Sequence, residues 1–281
     1  MLKSLRKKWS KIATILEAAS IAQRRARYEQ LRDDKRRTAP RALGGFGYKI
    51  FAQSDEDGVI AEIFRRIGTT NKVFVEFGVG DGLENNSAAL LYAGWSGLWI
   101  DGSDEFCRQI EATYATAISK GQLSIINSFI TVDNIDGLIA SKAPAGEIDL
   151  LSVDIDGNDA HVYRRIACIN PRVVVFEYNA KFGPSIDYCM GYQSDYVWKK
   201  SDRFGASLKH FELLMRERGY SCVGCNLVGT NAFFVRDDLL ADRFDGPFTS
   251  EAQFEPARYE LVGLPAGHPP STATFGTRAG A

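Results

Sequence analysis

Three glycines at alternate positions follow a short apolar run. The run Val73–Phe77 is rich in β-branched and aromatic residues, and Gly78, Gly80 and Gly82 come directly after it. A strand that enters such a turn and leaves into a helix brings backbone N–H groups and a helix N-terminus against a ligand. The sequence therefore predicts a binding turn of the kind that nucleotide folds use.

The spacing of the glycines and one carboxylate indicate which cofactor this turn binds. The dinucleotide fingerprint G-x-G-x-x-G needs a third glycine where this chain has Leu83. Glu76 precedes the turn, and a carboxylate is unfavourable beside a pyrophosphate but favourable beside an α-ammonium group. S-adenosylmethionine carries an ammonium and a sulfonium group, so the pattern favours this cofactor over NAD.

A second carboxylate, Asp101, ends the next predicted strand. It can accept hydrogen bonds from both hydroxyls of a ribose, but NAD has the same diol, so Asp101 alone does not separate the cofactors. An alternative interpretation makes Asp101 a cap of the following helix. The residues that we predict to contact the cofactor are Glu76, Gly78, Gly80, Asp81, Gly82, Asn86, Asp101, Gly102, Ser103 and Ser128.

Two further polar pairs end later apolar runs. Asp154 and Asp156 end one run, and Glu177 and Asn179 end the next. The members of each pair are two residues apart, so they lie on the same side of a strand. The carboxyl ends of strands in an open α/β sheet line the ligand crevice, and like charges gathered there repel unless a cation, a proton or a hydroxyl substrate intervenes. We therefore expect the chemistry here.

Two roles are open for this polar cluster. In the first role, a carboxylate takes the proton of an attacking hydroxyl during in-line methyl transfer. Asp154 and Asp156 are the first candidates for this base, and Glu177 is a further one. Alternatively, Asp154, Asp156, Glu177 and Asn179 supply hard oxygen ligands to Mg²⁺ or another divalent ion. His161 is another candidate base, although a histidine on a helix is more often structural.

The elements that must position these residues alternate along the chain. Runs that are apolar on both faces and alternate with helical patterns indicate a parallel sheet covered on both sides. The predicted strands are 73–77, 97–100, 123–126, 150–155, 173–178, 220–225 and 231–235, and the helices between them are 85–93, 105–119, 159–167 and 206–218.

Composition divides the chain into four regions. Residues 1–37 form a basic helical extension, and residues 38–50, which contain proline and glycine, form a linker. Residues 51–245 form the main domain, within which the aperiodic segment 181–205 is long enough to be a substrate lid. The proline-containing tail, residues 246–281, is predicted to be irregular and partly disordered.

The charge is unevenly distributed. The chain has 34 Lys plus Arg and 35 Asp plus Glu, so its total charge gives no reason to expect a nucleic-acid partner. Residues 1–40, however, contain twelve basic and four acidic residues. Apolar residues recur there at three- and four-residue steps, which predicts an amphipathic helix. Such a helix either lies on an anionic membrane surface or docks on the domain or on a second subunit, as in a homo-oligomer.

The cysteines and the hydropathy bear on location. Five cysteines are an odd number, and without a convincing export signal they favour reduced thiols in the cytoplasm. The pair Cys222 and Cys225 has no second pair or nearby histidine, so packing is a better interpretation than zinc binding. No apolar run approaches the roughly 20 residues that span a bilayer. We expect a cytoplasmic protein, with peripheral contact to the inner face of the membrane if residues 1–37 bind lipid.

A series of short motifs occurs in order between residues 47 and 240. They are Gln53-Ser54-Asp55-Glu56-Asp57-Gly58, Val75-Glu76-Phe77-Gly78-Val79-Gly80-Asp81-Gly82-Leu83-Glu84-Asn85-Asn86, Trp99-Ile100-Asp101-Gly102-Ser103, Ser152-Val153-Asp154-Ile155-Asp156-Gly157-Asn158-Asp159, Phe204-Gly205-Ala206-Ser207-Leu208 and Asn231-Ala232-Phe233-Phe234-Val235-Arg236. In this order they resemble the FkbM-type methyltransferases, particularly relatives found beside bacterial polysaccharide-synthesis enzymes.

The resemblance implies both a fold and an activity. The fold is α/β, a Rossmann-like class I methyltransferase sheet, mostly parallel with an antiparallel last strand and helices on both faces. The implied activity is S-adenosylmethionine-dependent O-methylation of a saccharide or saccharide-linked acceptor, with Glu76, Gly78, Gly80 and Asp101 on the cofactor. Two other functions stay open, namely an NAD-dependent sugar-modifying enzyme and a non-catalytic scaffold that keeps the methyltransferase fold.

The predicted lid contains several aromatic residues. Tyr188, Tyr192, Tyr196 and Trp198 lie within residues 181–205. Their rings can stack on the faces of a sugar, or they can pack the lid onto the domain. We expect the specificity for the acceptor to lie in this segment.

Overall fold

The computed structural model describes residues 2–262, and in the first helix it describes the side chains of residue 6 and of residues from 8 onward. Residues 263–281 of the predicted tail lie outside the described residues. The strands are β1 Val73–Phe77, β2 Ser96–Asp101, β3 Leu123–Asn127, β4 Gly146–Val153, β5 Ile169–Glu177, β6 Tyr220–Cys225 and β7 Asn231–Arg236.

Helices flank the strands in chain order. The α-helices are α1 Leu2–Thr38, α2 Glu56–Ile67, α3 Ala88–Tyr92, α4 Asp104–Thr113, α5 Ala115–Ser119, α6 Ile135–Lys142, α7 Asp159–Tyr163, α8 Leu208–Glu217 and α9 Ser250–Gln253. Short 3₁₀-helices span Leu43–Phe46, Asp237–Leu239 and Tyr259–Val262.

The seven strands form one sheet in the order β3-β2-β1-β4-β5-β7-β6. The pairs from β3 to β5 are parallel, whereas β7 runs antiparallel to both β5 and β6. The strand order reverses between β1 and β4, which is where an open α/β sheet forms its ligand crevice. This is the class I methyltransferase arrangement, and the predicted fold class is confirmed.

The sheet is buried on both faces. Alternate residues of β1 point to opposite sides, so Phe74 joins one apolar cluster while Val75 and Phe77 join the other. On the Phe74 side α2 contributes Ile60, and on the opposite side α8 contributes Phe211. Burial on both faces explains the continuous apolar runs of the central strands.

Several predicted helices differ from the observed ones. The helix expected from residue 85 begins at Ala88, because the N–H groups of Asn86 and Ser87 donate to the Glu76 carboxylate of β1. The helix predicted for 105–119 is broken at Tyr114 into α4 and α5, and α7 ends at Tyr163 rather than near residue 167. Helix α6, Ile135–Lys142, was not predicted, because only Ile135 and Ile139 of its eight residues are buried.

The N-terminal extension is one long helix. Residues 8–23 of α1 are exposed on all sides, and the later turns pack against the 3₁₀-helices Leu43–Phe46 and Tyr259–Val262. The predicted linker thus contains a buried 3₁₀-helix. Among the described residues, we find no helix with the length and apolar character needed to cross a bilayer.

The described part of the tail is more ordered than predicted. Residues 246–262 contain α9 and a 3₁₀-helix. The Ser250 hydroxyl donates to the Glu212 carboxylate at 2.8 Å, and the Tyr178 hydroxyl donates to the Glu255 carbonyl. These contacts are formed by single polar atoms. The sequence therefore shows no apolar periodicity that would have predicted them.

Candidate functional site

A cavity of about 480 Å³ opens at the carboxyl ends of β1, β2 and β4. Its position agrees with the crevice expected where the strand order reverses. The predicted site residues that line it are Gly78, Gly80, Asp101, Gly102, Ser103, Asp154 and Asp156.

The glycine turn forms one wall of this cavity. Gly78 has a φ of 72°, and a Cβ added there would lie 1.6 Å from the Asp154 carbonyl oxygen, so only glycine fits beneath the end of β4. Gly80 has a φ of 56°, but no heavy atom lies within 4 Å of the position of an added Cβ. The backbone at Gly80 therefore faces open space along the cavity wall.

Asp101 is held in a fixed orientation at the same wall. One carboxylate oxygen accepts a hydrogen bond from the Gly80 N–H at 2.9 Å, and the other accepts from the Ser103 N–H at 2.8 Å. Each carboxylate oxygen can accept two hydrogen bonds, so both oxygens retain capacity for a diol. Burial raises the pKa of Asp101, and these two hydrogen bonds oppose the rise.

The alternative role for Asp101, as a helix cap, is not observed. The residue at the N-cap of α4 is Ser103, whose hydroxyl oxygen accepts from the Phe106 N–H at 3.3 Å. Ser103 therefore starts the helix, while Asp101 joins the glycine turn to the end of β2.

Glu76 lies beneath the glycine turn and does not line the cavity. Its carboxylate accepts hydrogen bonds from the N–H groups of Asn86 at 2.8 Å and Ser87 at 3.0 Å, and from the Ser87 hydroxyl. Burial raises its pKa to about 7. Glu76 fixes the loop that follows the turn, and its contact with an ammonium group stays a prediction.

Asp81 and Gly82 also shape the loop from outside the cavity wall. The Asp81 carboxylate accepts from the Leu83 N–H at 3.0 Å, a local turn contact. Gly82 packs against the Trp99 and Tyr114 side chains, and the Tyr114 hydroxyl donates to the Gly82 carbonyl at 2.7 Å. Both residues hold the conformation of the turn.

Asn86 and Ser128 connect neighbouring strand ends. The Asn86 amide donates to the Ser152 hydroxyl at 3.1 Å, and the Ser128 N–H donates to the Asp101 carbonyl at 2.9 Å. Neither residue lines the cavity. In this structure they support the strand ends that carry the cavity walls, and their predicted cofactor contacts remain untested.

Three of the predicted chemical residues come together. Asp154, Asp156 and Glu177 each place a carboxylate oxygen within 4.8 Å of the others. Burial, with mutual repulsion for Asp154 and Glu177, raises the pKa of all three groups. Asp156 also has a φ of 60°, a conformation that costs a non-glycine residue energy and that is frequent at functional sites.

Asp159 supports this cluster and was not among the predicted site residues. Its buried carboxylate accepts from the N–H groups of Ile155 and Gly157, each at 2.9 Å. Burial is the main cause that raises the pKa of Asp159 to about 6. The signal in the sequence was an acidic residue at the start of α7, where a carboxylate can bind free N–H groups of the loop.

Asn179 holds the lid, residues 181–205. Its fully buried amide donates to the carbonyls of Asp202 at 2.9 Å and Phe204 at 3.0 Å, and its oxygen accepts from the Lys181 N–H at 3.2 Å. The amide thus ties both ends of the segment to β5. Its predicted role as a metal ligand stays a prediction.

The middle of the lid reaches the cavity. Asn158 donates to the Gln193 carbonyl at 2.7 Å and accepts from the Gln193 N–H at 3.2 Å. The Tyr196 ring lies directly on Gly157, where an added Cβ would lie 2.5 Å from it. Tyr196 and Trp198 both line the cavity, so the lid forms its outer wall.

The other lid aromatics serve packing. Tyr188 is buried and stacks on Phe182 with ring centroids 3.9 Å apart. The ring of Tyr192 packs edge-on against His161 at 5.7 Å, and a ring nitrogen of His161 lies 2.7 Å from the Met190 carbonyl oxygen. His161 therefore contacts the lid, which is the structural role that we weighed against a catalytic one.

The apolar end of the cavity was missed by sequence reasoning. Phe106, Phe129 and Ile130 line it beside Asp101, and the two phenylalanines remain 41% and 44% exposed. Exposed rings in a concave wall suit a flat aromatic ligand. The sequence feature that could have indicated this wall is an aromatic residue shortly after the end of β2 and another shortly after the end of β3.

No protein-family model matches the sequence, and no curated protein matches it. Similar solved structures include an S-adenosylmethionine-dependent methyltransferase from Clostridium acetobutylicum, with 12% identity, a TM-score of 0.39 and coverage of 63% of this chain and 89% of that chain. An O-methyltransferase from Bacillus cereus in complex with SAH has 13% identity, a TM-score of 0.42 and coverage of 62% and 76%.

A glycopeptide N-methyltransferase is also similar, with 11% identity, a TM-score of 0.40 and coverage of 65% of this chain and 96% of that chain.

Proposed function

We propose that this chain is an S-adenosylmethionine-dependent methyltransferase that methylates a hydroxyl group. One observation carries the proposal: a single cavity is lined by the backbone-held Asp101 carboxylate with two aromatic rings, and also by the Asp154 and Asp156 carboxylates of the cluster. A cofactor that must place its adenosine at one end and its reactive group at the other fits this arrangement.

The adenosine end fits the side chains that are present. Asp101, fixed by two backbone N–H groups, can accept hydrogen bonds from both ribose hydroxyls. Phe106 and Phe129 offer exposed rings to the adenine. The open side of Gly80 allows the ligand to approach the backbone closely.

At the other end, the carboxylates act as bases. When bound, S-adenosylmethionine supplies an electrophilic methyl group whose carbon–sulfur bond breaks with its electron pair left on sulfur. Asp156 or Asp154 accepts the proton of the acceptor hydroxyl as the new carbon–oxygen bond forms. A raised pKa makes the ionised carboxylate a stronger base, which suits this transfer.

The same three carboxylates also fit a divalent cation. Hard oxygen donors within 4.8 Å of one another suit Mg²⁺, and a cation would relieve their repulsion. Asp154, Asp156 and Glu177 would hold the ion, which would orient the acceptor hydroxyl. Methyl transfer that is abolished by a chelator and restored by Mg²⁺ identifies this use, whereas unchanged turnover assigns the cluster to proton transfer alone.

The acceptor that we propose is a saccharide or a saccharide-linked molecule. Support comes from the resemblance of the ordered motifs to FkbM-type methyltransferases and from Tyr196 and Trp198 on the outer wall of the cavity. Aromatic rings in such a wall can stack on the apolar face of a sugar.

Titration calorimetry with S-adenosylhomocysteine and with NAD tests the cofactor. We expect S-adenosylhomocysteine to bind and NAD to give no heat. Asp101→Asn should weaken binding by about tenfold, because a charge-assisted hydrogen bond is lost. Asp133→Asn, at an exposed position before α6, is the matched control and should bind normally. Binding of NAD alone would indicate the dinucleotide enzyme, and binding of neither would indicate the scaffold.

A further inference from the structure

A second cavity, of about 670 Å³, lies between α1 and the main domain. None of the residues that line this second cavity lines the first. The cationic and aromatic members of the second lining are Arg24, Arg25, Tyr28, Arg32, Tyr48 and Lys49.

This second cavity opens at the same edge of the sheet as the carboxylate cluster. Glu84, in the loop after the glycine turn, lines it, and so does Val228, in the turn between β6 and β7. Glu177 at the end of β5 pairs with Asn231 at the start of β7, so that turn lies beside the end of β5. Both places therefore lie at the carboxyl ends of the parallel strands.

The segment that ends in the 3₁₀-helix Tyr259–Val262 runs from the end of β5 to the second cavity. The hydroxyl of Tyr178, which follows β5 directly, donates to the Glu255 carbonyl. Leu261, later in the same segment, lines the second cavity.

The carboxylates in the lining leave an excess of positive charge. Glu29 pairs with Arg25 at 3.0 Å, and Glu84 pairs with Lys49 at 2.8 Å. The third carboxylate, Asp55, accepts hydrogen bonds from the protein. Burial and then the neighbouring Glu56 raise the pKa of Asp55 to about 7. This lowers its negative charge near neutral pH.

Arg32 supplies the observation that points to a ligand. Arg32 lines the cavity, yet its guanidinium group forms no hydrogen bond with the described residues. Its buried Nε forms a long ion pair with an Asp33 carboxylate oxygen at 3.8 Å, and its Cζ lies 5.8 Å from the centroid of the Tyr28 ring. A donor group without hydrogen-bond partners costs free energy when it is shielded from water, so such groups usually meet a ligand or water. The guanidinium group matches phosphate oxygens in geometry and charge.

We propose that this second cavity binds a phosphate group of the methyl acceptor, with Arg24 and Arg32 as its main ligands. The acceptor then extends from the carboxylate cluster to α1, and its substrate class is a phosphorylated or diphosphate-linked saccharide. The assignment of the ligand as an acceptor rests on the proposed methyltransferase function.

Calorimetry with inorganic pyrophosphate on the full chain, saturated with S-adenosylhomocysteine, tests the site. The double variant Arg24→Gln, Arg32→Gln should lose about tenfold or more in pyrophosphate affinity, as expected when charge-assisted hydrogen bonds are removed. Arg27→Gln, on the exposed side of α1, is the matched control and should bind normally. Circular dichroism confirms that each variant is folded.

The outcomes separate this site from the methyltransferase function. Pyrophosphate affinity that survives the double substitution, or no pyrophosphate binding by the wild type, overturns the site even if S-adenosylhomocysteine binds. Loss of S-adenosylhomocysteine binding would overturn the methyltransferase function instead, and the pyrophosphate titration can then be run without it.

Vesicles of phosphatidylglycerol distinguish a lipid-linked phosphate from a free one. Vesicle binding that pyrophosphate displaces, and that the double variant loses, supports the site and identifies a lipid-borne phosphate. Pyrophosphate binding without vesicle binding supports the site and identifies a water-soluble acceptor.

Discussion

At the scale of single residues, Gly78 and Gly80 have similar positive φ angles but different surroundings. A Cβ at Gly78 would collide with the Asp154 carbonyl, whereas one at Gly80 would meet open space. We expect Gly78→Ala to destabilise the fold by about 3 kcal/mol or more, and Gly80→Ala to cost only about 1 kcal/mol of backbone strain. Urea unfolding of both variants measures this difference, and equal losses would contradict the close approach of β4.

Glu76 makes the stability of the fold depend on pH. Its folded pKa of about 7 lies above the ordinary value of 4.5, so the folded state binds a proton that the unfolded state releases. The contribution is fully present below about pH 4.5 and is lost as the pH rises through about 7, an effect of roughly 3 kcal/mol. Glu76→Gln should flatten this part of the stability profile, measured by urea unfolding between pH 5 and 8. A wild-type stability that rises over this range would oppose the prediction.

At the scale of elements, polar contacts attach the middle of the lid to the N-terminus of α7. Asn158 forms two hydrogen bonds with Gln193, and each is worth about 1 kcal/mol. Asn158→Ala should therefore speed hydrogen exchange in residues 190–200 by about tenfold or more while the central strands keep their protection. Gln109→Ala, at an exposed position on α4, is the control. Unchanged exchange in the lid would show that other contacts hold it.

Residues 8–23 of helix α1 are exposed and have no packing partner among the described residues. Trp9, Ile12 and Leu16 are exposed at three- and four-residue spacing, with Lys8 and Lys11 beside them. If this face binds anionic lipid, co-sedimentation with anionic vesicles should weaken with added salt and in a Trp9→Ser, Leu16→Ser variant. Glu17→Gln is the control and should bind at least as well. Binding that salt does not change would remove the electrostatic part of this hypothesis.

At the scale of the whole molecule, the sheet joins two cavities along one edge. The carboxyl ends of β1, β2 and β4 face the first cavity, and the turn at Val228, which leads into the antiparallel β7, lines the second. A substrate that contacts both cavities would bind its reactive hydroxyl at the first cavity and its charged group at the second. In kinetics, the Arg24→Gln, Arg32→Gln variant should then raise KM more than it lowers kcat.

The sequence by itself determined the sheet, the glycine turn and the cluster of Asp154 and Asp156. These features depend on local patterns. Apolar runs indicate strands that are buried on both faces, and a two-residue spacing places two carboxylates on the same side of a strand. Helix α6 was missed because only two of its residues are buried, so its periodicity is weak.

Only the tertiary structure decided which predicted residues face the cavity. Glu76 lies beneath the turn and Asn179 holds the lid, because their partners come from loops whose position depends on the whole fold. The rings of Phe106 and Phe129 meet at one wall only after β2 and β3 have paired. The sequence encodes burial and local geometry, whereas contacts between distant segments are set by the packing of all the elements together.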